Sequence, residues 1–140
     1  DFLLWARSLL TQRGILYLAV PNDFTQLQEQ AVAKLNLRSG YWISRPDHVN
    51  YFNFNSLVTT LRVLGFEVID RDTTFSMEAY LLTDQNYISN PELGRKLHLE
   101  RVRYELAWNA VSPDARRLAN YGAAHWGIGR DAIVYARKKS

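Results

Sequence analysis

The chain has 140 residues, of which 47% are hydrophobic, 22% charged and 13% aromatic. This balance is typical of one compact folded domain and excludes disordered and fibrous proteins. No apolar run approaches the roughly 20 residues that cross a bilayer, and the first residues lack the pattern of a secretory signal. We therefore expect a cytoplasmic protein with no membrane contact.

Cysteine content and charge exclude further classes of function. Without cysteine there is no disulfide, thiolate metal site or cysteine nucleophile. His48, His98 and His125 are far apart and form no HExxH pair, so we expect no metal site. The formal net charge is only +3, with part of the excess in the basic tail after residue 136. So mild an excess is typical of a solvated face, and nucleic-acid binding is not expected.

The first part of the chain alternates between helical and strand patterns. Helical spacing of apolar residues predicts a helix from residue 2 to about 13. Residues 15–20 are almost continuously apolar and are stopped by Pro21, a pattern typical of a central strand covered on both faces. Residues 24–37 form an amphipathic pattern and predict a surface helix.

Residues 39–55 match no periodic template and are rich in aromatic side chains, which favours a functional loop. The imidazole of His48 follows the carboxylate of Asp47, and aromatic rings flank the pair. Such a group can remove a proton from a hydroxyl or amine near pH 7. The alternative is a packed loop in which Asp47 is a cap and Tyr51 and Phe52 fill the core. The residues alone do not decide between the two.

The next helix and strand follow an α/β pattern. Asn55 or Ser56 can cap a helix that Gly65 terminates, and a strand is predicted at 66–70. Because a single glycine joins the helix to the strand, we expect an α/β fold.

The second half is predicted to be mostly helical, with helices at 77–82 and 91–111. Ser112 is expected to cap another helix, and a strand is predicted at 132–136. We therefore expect one domain with three parts. Core strands and helices occupy 1–72, a helical insert occupies 73–129, and the last strand and basic tail occupy 130–140.

Two smaller motifs have structural as well as functional interpretations. His98 and Arg101 lie on one face of the predicted helix 91–111, either in a solvated salt-bridge stripe or in the wall of a pocket for a polar ligand. The glycines at 127 and 129 have no strand before them and no helix after them, so we predict a bend into the last strand rather than a phosphate loop.

Several segments together resemble a known family. They read GILYLAVPN at 14–22, PDHVNYF at 46–52 and LGFEV at 64–68, with NYI at 86–88, PELGR at 91–95 and GIGR at 127–130. In order and spacing they resemble the C-terminal half of class I S-adenosylmethionine-dependent methyltransferases. The resemblance implies the last three strands of a Rossmann-like seven-stranded sheet. Residues 15–20 would form its fifth strand, 66–70 its sixth and 133–137 an antiparallel seventh, with the helical insert capping the substrate side.

The resemblance also implies an activity, the transfer of a methyl group to a small-molecule acceptor. His48 is then the candidate base or orienting group. Pro21 and Asn22 would lie at the carboxyl end of a central strand, where open α/β sheets bind ligands. The remaining expected acceptor-binding residues are Trp42, Asn50, Tyr51, Phe52, His98 and Arg101.

The family's glycine-rich loop and the acidic residue that hold the cofactor have no counterpart in this sequence. The parent protein is expected to bind S-adenosylmethionine, whereas this chain alone is expected to bind no cofactor and to be inactive. Its partner would be the missing N-terminal half.

A non-catalytic interaction or dimerisation module is the alternative class. A strand as apolar as residues 15–20 with an open edge is a template for pairing with another chain. We therefore expect the chain to self-associate, and a homodimer is the simplest closed outcome.

Overall fold

A computed structural model describes residues 2–38, 40–46 and 48–139. Asp47, which the loop hypothesis pairs with His48, lies outside the described residues. In chain order, the secondary structure is α1 (Phe2–Leu9), β1 (Ile15–Pro21), α2 (Gln26–Leu35), α3 (Phe54–Val63), β2 (Phe66–Asp72), α4 (Glu78–Leu82), α5 (Pro91–Val111), α6 (Pro113–His125) and β3 (Asp131–Lys138).

The fold is mixed α/β, built on a three-stranded sheet in the order β1-β3-β2. The last strand, β3, runs antiparallel to both of its neighbours, as predicted for the final strand. Tyr17 of β1 lies opposite Tyr135 of β3, and their ring centroids are 5.4 Å apart. The register between β2 and β3 shifts between Val68 and Asp70.

The core lies between one face of the sheet and α3. Leu57 and Leu61 of α3 pack with Phe66 of β2 and Val134 of β3, and all four side chains are buried. Leu16, Leu18 and Val20 of β1 pack against the edge of this cluster. Alternate residues of β1 therefore face the core, as expected for a strand with one buried face.

The prediction that β1 is covered on both faces is wrong for the part of the chain that the structure describes. Its residues alternate between exposed and partly buried, and Ile15 and Tyr17 are each 56% exposed. Within the described residues β1 pairs only with β3, so its other edge is open. The physical reason is that Leu16, Leu18 and Val20 pack against the core cluster, to which both α3 and α6 contribute, whereas the alternating residues Ile15 and Tyr17 remain exposed.

Local capping explains where most helices begin and end. Gly65 has φ +79° and follows α3 as predicted, and Ser112 caps α6 by accepting a hydrogen bond from the backbone N–H of Ala115 at 3.2 Å. The predicted bounds of α5 match the structure.

The predicted bounds of three helices differ from the structure. The amphipathic pattern at 24–37 forms the shorter helix α2, Gln26–Leu35. The first helix ends at Leu9 rather than near residue 13. The helix α3 is capped by Asn53 rather than by Asn55 or Ser56. The Asn53 side chain accepts from the Ser56 N–H at 2.9 Å, and the Ser56 hydroxyl accepts from the Asn53 N–H at 3.0 Å. This reciprocal capping box satisfies two backbone donors and so places the helix start two residues earlier.

Within the described ranges, no helix is both long enough and apolar enough to span a bilayer.

Candidate functional site

A cleft of about 310 Å³ lies at the carboxyl end of β1. Pro21 is the last residue of β1, and Asn22 and Asp23 follow it directly. The lining residues are Pro21, Asn22, Asp23, Gln28, Tyr41, Trp42, His48, Met77, Glu78, Tyr87, Ile88, Arg130 and Asp131. The cleft thus joins the strand end, the aromatic loop, the start of α4 and the start of β3.

Asn22 holds the end of β1 against the bend that leads into β3. Its side chain is buried, and Nδ2 donates to the carbonyls of Gly127 and Gly129, each at 2.9 Å. Its backbone N–H donates to the carbonyl of Arg130 at 2.9 Å. The buried Oδ1 has no hydrogen-bond partner among the described residues. A buried acceptor next to the cleft is therefore left without a donor in the described part of the chain.

The bend at 127–129 depends on glycine. Gly129 has φ +123°, which L-residues with a side chain rarely adopt. A Cβ atom there would overlap the hydroxyl of Thr73, and this hydroxyl donates to the carbonyl of Asp131 at 2.7 Å. The segment therefore brings β3 close to the end of β2, and it enters a strand as predicted.

The aromatic loop returns to the end of β1 and forms one wall of the cleft. The backbone N–H of Asp23 donates to the carbonyl of Phe52 at 2.7 Å, and Asn22 forms an isolated parallel bridge with Phe52. The Trp42 ring lies 5.6 Å from Phe24 and 5.1 Å from Tyr41, edge to face. Its buried Nε1 has no acceptor within the described part of the chain. The loop thus contributes to the cleft lining an indole whose buried N–H has no partner among the described residues.

His48 is exposed and lies at the edge of the cleft. Its ring centroid is 6.3 Å from that of Tyr51, and both residues also line a small neighbouring hollow. The Tyr51 hydroxyl donates to the carbonyl of Ser44 at 3.0 Å, which fixes the ring of Tyr51 within the loop. His48 is therefore accessible to solvent and to a ligand in the cleft.

Glu78 places a buried carboxylate opposite the loop. It accepts hydrogen bonds from the Ser76 hydroxyl at 2.6 Å and from the Tyr41 hydroxyl at 3.3 Å. Burial, followed by the charge of Glu78, raises the pKa values of both Tyr41 and Tyr87 above the ordinary value of 10.0. Both phenols consequently remain protonated at neutral pH and can donate hydrogen bonds.

Asp23 is a second buried carboxylate of the cleft and is only 7% exposed. Burial raises its pKa, the charge of Glu78 also raises it, and the hydrogen bond with Gln28 and the charge of His48 lower it. Desolvation is the largest of these effects. The cleft therefore combines two buried carboxylates with an accessible imidazole, an arrangement that can hold a polar ligand and accept a proton from it.

The structure brings four predicted site residues together, namely Pro21, Asn22, Trp42 and His48. Tyr51 lies next to His48 in the neighbouring hollow. The other two predicted loop residues are not among those lining the cleft: the Phe52 side chain packs against the core, and Asn50 is exposed.

His98 and Arg101 on α5 are also not brought to the cleft. Arg101 is buried and forms an ion pair with Glu105 at 2.9 Å. Partial burial, followed by the charge of Arg101, lowers the pKa of His98. Of the two interpretations that the sequence left open, the solvated stripe does not hold for Arg101, which is buried, whereas His98 is exposed.

Sequence reasoning missed several residues of the cleft. These are Asp23, Gln28, Tyr41, Met77, Glu78, Tyr87, Ile88, Arg130 and Asp131. Asp23 could have been found because it directly follows the strand end. Glu78 had no comparable signal, since only the fold brings it to residues more than thirty positions earlier.

No group of three or more His, Asp or Glu side chains that could hold a metal ion occurs among the residues described. Searches of protein-family models, curated proteins and solved structures give no significant match to this chain. The geometry of the cleft is therefore the basis for a functional assignment.

Proposed function

We propose that this chain is the acceptor-side portion of an S-adenosylmethionine-dependent methyltransferase that acts on a small molecule. The observation that carries the proposal is the convergence of Asn22, Asp23, Trp42 and His48 at the carboxyl end of β1. Open α/β sheets bind their ligands at the carboxyl ends of strands.

The sheet supports the same proposal. The resemblance implies that the final strand is antiparallel, and β3 runs antiparallel to both β1 and β2. The open edge of β1 offers backbone groups to which further strands of a larger sheet can pair. In the proposed protein, those strands belong to the missing N-terminal half.

Within the cleft, His48 is proposed to accept the proton that the acceptor loses. It is accessible, and the negative charge of Asp23 lies close enough to interact with it. The indole N–H of Trp42 and the Oδ1 of Asn22 have no partner among the described residues, and in this proposal they form hydrogen bonds with the methyl acceptor when it binds. Orientation of the reacting groups is a major contribution that a protein makes to a transfer reaction.

The residues present do not fit the cofactor by themselves. The sequence has no glycine-rich loop between a strand and a helix. The proposal therefore assigns only the acceptor side to this chain. In the complete protein, bound S-adenosylmethionine would supply the methyl group.

Calorimetric titration with S-adenosylmethionine tests the proposal. We expect the 140-residue chain to show no binding. The chain extended by its natural preceding sequence is expected to bind with a micromolar dissociation constant, which corresponds to a binding free energy of about 8 kcal/mol in magnitude. In the extended protein, His48→Ala should reduce turnover more than cofactor affinity. His125→Ala, at the exposed end of α6, is the matched control and should change neither. Absence of cofactor binding by the extended protein would refute the proposal.

A non-catalytic interaction module is the second candidate, and the exposed face of α1 and β1 favours it. No residue of α1 is buried, and its large apolar side chains Phe2, Trp5 and Leu9 are exposed. Exposed apolar surface next to an open strand edge is typical of a surface that pairs with another chain. A stable complex formed by the 140-residue chain alone would favour this candidate.

A further inference from the structure

A second cavity of about 300 Å³ lies between the end of β2, α5 and α6. It shares two chain segments with the cleft described above. Ser76 and Ala79 line this cavity, whereas Met77 and Glu78 line the cleft. Likewise, Gly129 lines the cavity and Arg130 lines the cleft. The two spaces are therefore neighbours with common walls.

Aromatic side chains form one side of this cavity. The ring centroid of Tyr104 is 5.6 Å from that of Phe75 and 5.7 Å from that of Trp108. The three rings are inclined to one another, an arrangement that favours edge contacts between aromatic groups. A flat apolar group in the cavity would contact the same kind of surface.

This wall is held in place by a partly buried ion pair. Glu105 accepts a hydrogen bond from the backbone N–H of Phe75 at 2.7 Å and pairs with Arg101 at 2.9 Å. The carboxylate of Glu105 therefore joins α5 to the segment that follows β2. Because this carboxylate already has two partners, it is not a free charge in the cavity.

The α6 residues of the lining include polar side chains. Asn120 lines the cavity, and its Nδ2 is buried without an acceptor among the described residues. Arg116, one turn earlier, also lines the cavity. A buried donor without a partner costs free energy that a bound acceptor atom can recover. The cavity lining thus combines apolar side chains with the Asn120 amide, a donor suited to an oxygen acceptor.

We propose that this cavity binds an aromatic group carrying a carbonyl oxygen, with the Asn120 side-chain amide donating a hydrogen bond to that oxygen. Phe75, Tyr104 and Trp108 contact the ring. The functional part of the inference rests on the proposed methyltransferase function: the bound group is the apolar portion of the methyl acceptor, since the cavity and the cleft share walls. Binding itself does not depend on the transfer reaction.

Two probes of similar shape test the proposal on the 140-residue chain. Acetophenone has the carbonyl oxygen, and isopropylbenzene does not. Titrations followed by NMR should shift the Trp108 indole resonance with both probes and the Asn120 side-chain amide mainly with acetophenone. We expect acetophenone to bind about five- to tenfold more tightly, the ratio that one hydrogen bond provides. Equal affinities, or no shift at either residue, would overturn the proposal.

Substitutions in the cavity test whether Asn120 is the source of the preference for acetophenone. Asn120→Leu preserves volume and removes the donor, so the preference for acetophenone should disappear while isopropylbenzene still binds. Asn55→Leu, exposed on α3, is the matched control and should retain the preference. If Asn120→Leu does not fold, Ala119→Phe, exposed at the cavity rim, should block both probes. Unchanged binding in Ala119→Phe would contradict the assignment.

The two proposals can fail separately. If acetophenone binds at Asn120 but the N-terminally extended protein does not bind S-adenosylmethionine, the methyltransferase proposal fails and the binding site stands. If the extended protein binds the cofactor and neither probe reaches Trp108, the cavity assignment alone fails.

Discussion

The side-chain amide of Asn22 donates a hydrogen bond to the carbonyl of Gly129 at 2.9 Å, which ties the carboxyl end of β1 to the bend before β3. The same Nδ2 donates to Gly127 at 2.9 Å. Both strands thereby present their ends to one cleft.

Removal of this amide should destabilise the fold. Asn22→Leu leaves two backbone carbonyls without their donor, and we expect a loss of about 1–3 kcal/mol in the free energy of unfolding, measured with urea. Asn55→Leu on the surface of α3 is the control and should change it by less than about 0.5 kcal/mol. If Asn22→Leu were as stable as the control, the two hydrogen bonds from the Asn22 amide would contribute nothing to the stability of the fold.

Glycine substitutions provide a matched pair. Gly129→Ala requires a positive φ and brings a methyl group against Thr73, so we expect a loss of about 1–3 kcal/mol. Gly122→Ala lies in α6 with nothing near the added Cβ, so we expect a gain of about 0.5–1 kcal/mol from helix propensity. Thermal unfolding of both variants measures the difference, and a stabilised Gly129→Ala would contradict the close approach of the bend to Thr73.

Asp23 should contribute to stability in a pH-dependent way. Its pKa in the fold is raised from 3.8, so its stabilising contribution is present at low pH and is lost as the pH rises through the raised pKa. Asp23→Asn removes this ionisation. The variant should therefore gain stability relative to the parent as the pH increases from about 3.8, and the gain should level off above the raised pKa.

Glu67 is the control for that experiment, because its pKa shift has the opposite sign to that of Asp23. The hydrogen bond and charge of Arg137 hold the pKa of its carboxyl below 4.5. Its stabilising contribution is present above pH 4.5 and is lost as the pH falls through the lowered pKa. Glu67→Gln should therefore lose stability relative to the parent at neutral pH and approach it in acid. Urea unfolding at a series of pH values measures the free energy of unfolding of both variants relative to the parent. If this difference changed with pH in the same direction for Asp23→Asn and Glu67→Gln, the burial of Asp23 would be contradicted.

The open edge of β1 should support self-association. Sedimentation of the 140-residue chain over a concentration series is expected to show a dimer in equilibrium with the 16.2 kDa monomer. Tyr17→Lys places a charge on β1 and should weaken the dimer, because lysine on an edge strand opposes pairing. Tyr121→Lys on exposed α6 should leave it unchanged. A monomer at all concentrations, with the amides of residues 15–20 protected from exchange, would count against both the dimer and the missing-half proposal.

The amino-acid sequence determined the features that depend on neighbouring residues. Gly65 ends α3 because the chain there needs a positive φ, and Ser112 begins α6 because its hydroxyl satisfies a free N–H. The apolar spacing gave the length of α5, and the strand patterns gave three strands in their observed places. These signals act over a few residues, so they are readable without the fold.

Only the tertiary structure decided which residues meet at the cleft and which faces stay open. Glu78 reaches Tyr41, and Asn22 reaches Gly129, across 37 and 107 positions of chain. The apolar run of β1 indicated burial on both faces, yet α3 covers one face only and Tyr17 remains exposed. Burial and long-range hydrogen bonds depend on how distant segments pack, and no local pattern contains that information.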